Sequence, residues 1–134
     1  MREILFRGKR LEIGDLVEGS LIAYPDGDCY IARPSDDPNV LDKFDVDPTT
    51  VGQYTGLKDK HGKRIFEGDI VRFKWDRERN YFLFIEFSDG EFCATPSYPS
   101  NDFWPFRLSG ENARLEVIGN IHDNPELLGG DGDG

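Results

Sequence analysis

The sequence predicts a mainly β protein, a β-rich α+β chain built on a small, strongly bent, SH3-like β-barrel with β-hairpins and one or two short helical turns. Three observations predict it. Ten Phe, five Tyr and two Trp make the apolar content strongly aromatic, although only 37% of residues are hydrophobic, and such side chains suit a pleated, half-buried surface. Fifteen Gly and eight Pro supply turn chemistry for many short strands. The apolar runs are short and bounded by turn residues such as Asp-Gly.

The elements follow in order. Ile4, Leu5 and Phe6 open a first strand, closed by Arg7-Gly8-Lys9-Arg10. A second strand runs from about Leu16 to Tyr24 and returns through Pro25-Asp26-Gly27-Asp28 into Cys29-Tyr30-Ile31-Ala32. Glycine tolerates the positive φ that such a tight turn needs, so this reads as a hairpin. Arg33 to Asp47 reads as an acidic surface loop with a helical turn near Val40 to Phe44. Asp47-Pro48 reads as a helix start, with Asp as N-cap and Pro at the first position, and Gly52 stops it within one or two turns. Lys58 to Lys63 is a polar turn. Arg64-Ile65-Phe66 and Ile70 to Phe73 are short strands joined by Glu67-Gly68-Asp69, where Gly68 relieves a sharp bend.

Tyr81 to Phe87 is apolar on both faces, as expected of a central or covered strand. It turns through Ser88-Asp89-Gly90 into Glu91 to Thr95, a second hairpin. Tyr98 to Leu108 is an aromatic, proline-rich loop, Leu115 to Ile121 a final strand, and Asn124 to Leu128 a capped helical turn. The expected organisation is one domain over 1–128, with the barrel at about 62–121 and a disordered Gly/Asp tail at 129–134. A chain of this size buries roughly two thirds of its unfolded surface, enough for a core without staples.

The formal net charge of −10 argues against general affinity for nucleic acid or anionic membranes. The charge is uneven: Glu12 to Leu57 holds ten acidic and two basic residues, whereas Lys58 to Arg79 holds eight basic and five acidic. No long apolar stretch opens the chain and none approaches membrane-spanning length, so a cytoplasmic protein without membrane contact is expected. Cys29 and Cys93 lack metal-type spacing and are expected as free, buried thiols acting as small hydrophobes.

Several stretches together resemble a known family. They are Arg2 to Lys9, Val17 to Leu21, Val46 to Asp59, Gly62-Lys63, Ile65 to Val71 and Ile118 to Leu128, with Gly52-Gln53-Tyr54-Thr55-Gly56-Leu57-Lys58-Asp59 the most specific. On these residues the chain resembles the YopX-like family of phage- and prophage-associated proteins. The resemblance implies a mainly β accessory protein linked to mobile elements and carries no catalytic residues across.

The residues bear on three function classes. For catalysis, His61 lies near Asp59 and His122 beside Asp123, but no His-x-x-x-His, Cys-x-x-Cys or His-Glu-x-x-His occurs. The acidic pairs Glu67/Asp69 and Asp36/Asp37 have Mg²⁺-compatible chemistry, which ordinary turn capping explains more simply. No catalytic residue, cofactor or metal site is expected. For nucleic-acid binding, Lys58, Lys60, Lys63, Arg64, Arg72 and Lys74 neighbour Trp75 and Tyr81, so that phosphates could be neutralised while bases stack. For protein interaction, Tyr98, Phe103, Trp104 and Phe106 are large rings held by prolines, a composition that suits an interface anchor. A non-enzymatic interaction or assembly module, acting as a homo-oligomer or on a host or phage protein, is the expected function, with nucleic-acid binding as the alternative.

Overall fold

Antiparallel strands account for nearly all regular structure in the computed structural model, which describes residues 2–74, 76–96, 105–109 and 114–128. The chain forms two compact units, Met1–Tyr54 and Thr55–Gly134. Trp75, most of the aromatic loop (97–104) and the tail 129–134 lie outside the described residues. Among the described residues no helix is long and apolar enough to cross a membrane.

The first unit is a meander of β1 (Phe6–Lys9), β2 (Leu16–Ala23), β3 (Cys29–Pro34) and β4 (Leu41–Val46), in the order β4-β3-β2-β1. The first residues of β5 (Gly52–Lys58) pair outside β1, Gly52 opposite Arg7 and Gln53 opposite Phe6. The meander curls on itself: Val46 bridges to Arg10, and the Leu11 N–H donates to the Asp45 carbonyl at 3.0 Å. Val17, Ile31 and Val46 form the core, with Phe6, Leu21, Cys29, Phe44 and Val51 packed against them. The 3-10 turn Pro48–Thr50 has Asp47 as its cap, accepting from the Thr49 N–H at 3.0 Å. The buried Thr50 hydroxyl accepts from the Lys9 N–H at 2.9 Å and donates to the Asp47 carbonyl at 2.6 Å, which fastens the turn to β1.

Two expectations for this unit are corrected, and one strand is added. The first strand begins at Phe6, not Ile4, and continues through Lys9, because Arg7-Gly8-Lys9 pair with Glu18-Val17-Leu16. The helical turn near Val40 to Phe44 is strand β4, paired residue for residue from Leu41 opposite Pro34 to Val46 opposite Cys29. The segment Gly52–Lys58 is a strand despite its two glycines. In each case the hydrogen bonds of a neighbouring strand override weak local preference.

In the second unit, β5 continues beside β6 (Arg64–Phe66), and β7 (Asp69–Lys74), β8 (Asn80–Ser88), β9 (Glu91–Pro96), β10 (Phe106–Arg107) and β11 (Leu115–Asn120) form a sheet in the order β10-β9-β8-β7-β11. Strand β8 is central, as its two apolar faces predict. Its inward residues Leu83 and Ile85 join Ile65, Val71, Ala94, Leu108 and Leu115 in the core, while Phe82 and Phe87 are 41% and 54% exposed. Phe106 packs on this core, with its ring 5.9 Å from that of Phe73. Pairing among the described residues stops at β10 and β11, so this sheet does not close into the barrel expected for 62–121. The outer edge of β11 is already occupied. The Lys60 N–H donates to the Leu115 carbonyl at 3.0 Å, and the Val117 N–H donates to Asp59 Oδ2 at 2.9 Å.

The Asn120 to Asn124 segment closes β11 with its own network. Asn120 Oδ1 accepts the His122 and Asp123 N–H groups at 3.0 and 2.9 Å, and Asn124 Oδ1 accepts the Asn120 N–H at 3.2 Å. Asn124 therefore reaches back to β11, and its side chain makes no cap bond to the following 3-10 turn, Pro125–Leu127, contrary to the capped turn expected there. A Cβ on Gly119 would lie 2.5 Å from Asn124 Oδ1. Gly119→Ala should therefore destabilise the protein by about 1 to 3 kcal/mol in chemical denaturation. Combined with Asn124→Ala it should cost less than the sum of the two single changes, because the second removes the two nearest atoms, Oδ1 and Cγ. Strict additivity would show that the close approach does not matter.

Candidate functional site: a carboxylate-centred basic cluster

The turn Lys58 to Arg64 is folded around Asp59. Its buried carboxylate accepts from the His61 and Lys63 N–H groups through Oδ1, both at 2.9 Å, and from Val117 through Oδ2. The backbone closes the same turn, with the Asp59 N–H donating to the Lys63 carbonyl at 2.8 Å and the Gly62 N–H to the Asp59 carbonyl at 3.0 Å. Burial pushes the Asp59 carboxyl up, but the donors at Val117, Lys63 and His61 outweigh it and hold the group below the usual Asp value.

This latch aims Lys60 and His61 at Glu116 on β11. Lys60 Nζ lies 4.0 Å from Glu116 Oε1, and His61 Nε2 lies 3.5 Å from Oε2. Arg72, directly across the ladder from Glu116, donates its Nη2–H to Oε1. Two cations and a histidine, drawn from a turn and from β7, thus share one carboxylate. The Arg72 hydrogen bond, followed by the charges of Lys60 and His61, holds the Glu116 carboxyl below its usual range despite partial burial. Glu116 is therefore ionised throughout the neutral range.

The structure divides the six basic candidates. Lys60 and Arg72 converge on Glu116. Lys58, Lys63 and Lys74 are exposed, and Arg64 is half-buried in β6. On β7, Arg72 alternates with Phe73, which packs inward on the core, so charge and ring take opposite faces there. Of the four aromatic-loop candidates, Tyr98, Phe103 and Trp104 lie outside the described residues, and Phe106 covers core. The acidic pairs serve turns. Asp69, buried, accepts the Phe66 N–H at 2.7 Å, and Asp37 accepts the Asn39 N–H at 2.9 Å. Among the described residues no group of three or more His, Cys, Asp or Glu could hold a metal ion. Both cysteines are free, as expected, but half-buried rather than buried, and burial followed by the charges of Glu91 and Glu86 pushes the Cys93 thiol up.

Sequence reading missed Glu116 and the latching role of Asp59. The alternation Leu115-Glu116-Val117 was the one available signal for Glu116, since a lone acid between two inward residues must point to the outer face.

Two outcomes follow. The Asp59 carboxylate stabilises the fold as long as it is ionised. Because its folded pKa is depressed, that contribution is complete above about pH 5 and is lost as pH falls through the unfolded value of about 3.9 and below. Asp59→Asn should destabilise the protein by about 1 to 3 kcal/mol, since an amide sets an N–H against a backbone N–H. It should also flatten the acid limb of the stability–pH curve, and an unchanged limb would refute the latch. Glu116→Gln removes the shared counter-charge, so retention on immobilised heparin at low salt should rise above that of the unaltered protein. Equal retention would show that Glu116 does not mask the cluster.

Comparison with known proteins sets this arrangement in a family. The profile of the YopX protein family matches residues 6–129. The SPbeta prophage-derived uncharacterized protein YopX of Bacillus subtilis strain 168 is 38% identical over 71 residues, 52% of this chain and 53% of that protein. That alignment thus spans about half the length of the relative. The crystal structure of YopX from Bacillus subtilis superposes with a TM-score of 0.62 at 28% identity, covering 96% of this chain and 99% of the other. Protein EF1440 from Enterococcus faecalis gives 0.57 at 27% identity, covering 96% and 99%. The Asp59 latch and the Asn120 network both fall within the matched residues, and the chain belongs to the YopX protein family.

Proposed function

We propose that this chain is a non-enzymatic accessory protein of a phage or prophage that works by binding another protein. The observation that carries this reading is the apolar balance of the first unit. Ile4, Leu11, Ile13, Tyr24, Val40 and Leu41 are 44–65% exposed, whereas the buried apolar side chains of the same unit are Val17, Ile31, Ala32, Val46 and Tyr54. Six large apolar side chains of this unit thus stand substantially in water. Solvated apolar surface of this extent, on a chain with net charge −10, suits contact with a partner better than it suits a lone monomer.

The cluster around Glu116 weighs against the nucleic-acid alternative. Two of the six basic candidates already face a carboxylate that a phosphate would have to displace, and the net charge opposes long-range attraction. Leu11, Ile13 and Leu41, each more than half exposed, can be changed with little expected loss of core.

The test is a tagged full-length chain recovered from induced host cells, compared with the triple variant Leu11→Ser, Ile13→Ser, Leu41→Ser. The unaltered chain should self-associate by light scattering or retain a stoichiometric protein partner. The triple variant should lose that association at an unchanged thermal midpoint. A monodisperse monomer with no retained protein, or submicromolar binding of single-stranded or duplex DNA at physiological salt, would overturn the reading.

A further inference from the structure

The outer face of the first unit carries a second arrangement of chemistry, on the side of the sheet opposite Ile31. Tyr30 on β3 stands directly across from Asp45 on β4, and paired residues of neighbouring strands point to the same face. Lys43, two residues before Asp45, shares that face, and its Nζ sits 4.4 Å from the centre of the Tyr30 ring. Tyr24 meets Tyr30 edge to face, with centroids 5.4 Å apart and planes at 88°. The turn that carries Tyr24 also carries Asp26 and Asp28, closed by the Tyr24 N–H donating to the Asp28 carbonyl at 2.9 Å. The 59%-exposed Leu11 lies beside β4 at Asp45, whose carbonyl accepts its N–H.

A cation over one ring, a second ring set perpendicular to it and carboxylates at the rim are the parts of a site for an alkylammonium or guanidinium group. Negative charge reaches the ring itself. The Tyr30 hydroxyl is held above its ordinary value first by Asp45, then by burial, Asp28, Tyr24 and Asp26.

We infer that the Tyr24–Tyr30 face is a docking site for a cationic segment of a partner protein, whose Lys or Arg side chain takes the place over Tyr30 that Lys43 now fills, with Leu11 receiving a neighbouring apolar side chain. The inference rests on the protein-binding reading above and names the partner's chemistry. Charge complementarity selects the occupant. Asp45 stands across from Tyr30, Asp26 and Asp28 lie in the turn that carries Tyr24, and among the described residues the cation over the Tyr30 ring belongs to an exposed, flexible side chain that can swing away. A partner cation gains the ring face without first creating it, and long-range attraction to an acidic protein speeds its arrival.

The probe is a short fluorescent peptide of alternating Arg and Leu, titrated by anisotropy against the full chain at low salt, with its Glu–Leu counterpart as control. The Arg–Leu peptide should bind and the Glu–Leu peptide should not. Tyr24→Leu and Tyr30→Leu should each weaken binding about three- to five-fold, while Tyr30→Phe, which keeps the ring, should bind normally. Lys43→Ala should tighten binding by a similar factor, whereas Lys58→Ala, which alters net charge equally in the second unit, should not.

Equal effects of Lys43→Ala and Lys58→Ala, or binding indifferent to loss of either ring, would reduce the site to general charge attraction and overturn the proposal. Self-association abolished by Tyr24→Leu would overturn it in favour of a second copy as the occupant. Should these ring variants have no effect while the Leu11/Ile13/Leu41 triple change abolishes partner retention, the cationic-segment proposal fails and the protein-binding reading stands.

Discussion

The Asp59 carboxylate is the interaction on which the second unit's arrangement depends. One buried side chain satisfies the N–H groups of His61, Lys63 and Val117, and so joins a tight turn to the edge of β11. An ionised carboxylate is tolerated in such a place only when hydrogen bonds replace the water it has lost, and three backbone donors do so. The bond to Val117 has a further effect. It occupies an edge-strand N–H that would otherwise offer a template to another chain. The same latch closes the side of the sheet on which further pairing could have continued, which accounts for a sheet that ends at β11.

With the turn held in this way, Lys60 and His61 are delivered to Glu116, where they meet Arg72 from β7. Residues that read along the chain as a basic island are in space a charge cluster around a carboxylate. In the first unit the relation runs the other way. Ten acidic residues between Glu12 and Leu57 look like a solvated surface in the sequence, yet pairing brings Asp45 across from Tyr30 and sets Lys43 over its ring. Strand pairing thus neutralises the basic island of the second unit, and in the first it gathers rings and a carboxylate around one cation. This is why the phosphate-binding reading weakens and a site for cations gains support.

Several details of the fold were legible because they are local. The Asp47-Pro48 cap, the hairpins at Asp26-Gly27 and Asp89-Gly90, and the central position of β8 follow from side-chain chemistry within a few residues. The misreadings are non-local. Strand β4 was read as an acidic loop with a helical turn, because Asp42, Lys43 and Asp45 mask an alternation that β3 enforces. Strand β5 was hidden by Gly52 and Gly56, and its first residues are held by pairing with β1 rather than by propensity. Asn124 was read as a helix cap, whereas its carbonyl is claimed by Asn120.

The sequence by itself determined that this protein is mainly β, acidic and rich in aromatic side chains, where its tight turns lie, and that it resembles the YopX-like family. Those properties are carried by composition and by residues a few positions apart. Only the tertiary structure decided which charges meet. Glu116 is 44 residues from Arg72 in the chain and bonded to it in space, and Asp59 is 58 residues from Val117, which it anchors. Such pairs form because strand registers bring distant residues opposite one another. Register is set by the whole sheet, through hydrogen bonds made across strands, and short runs of sequence do not encode it.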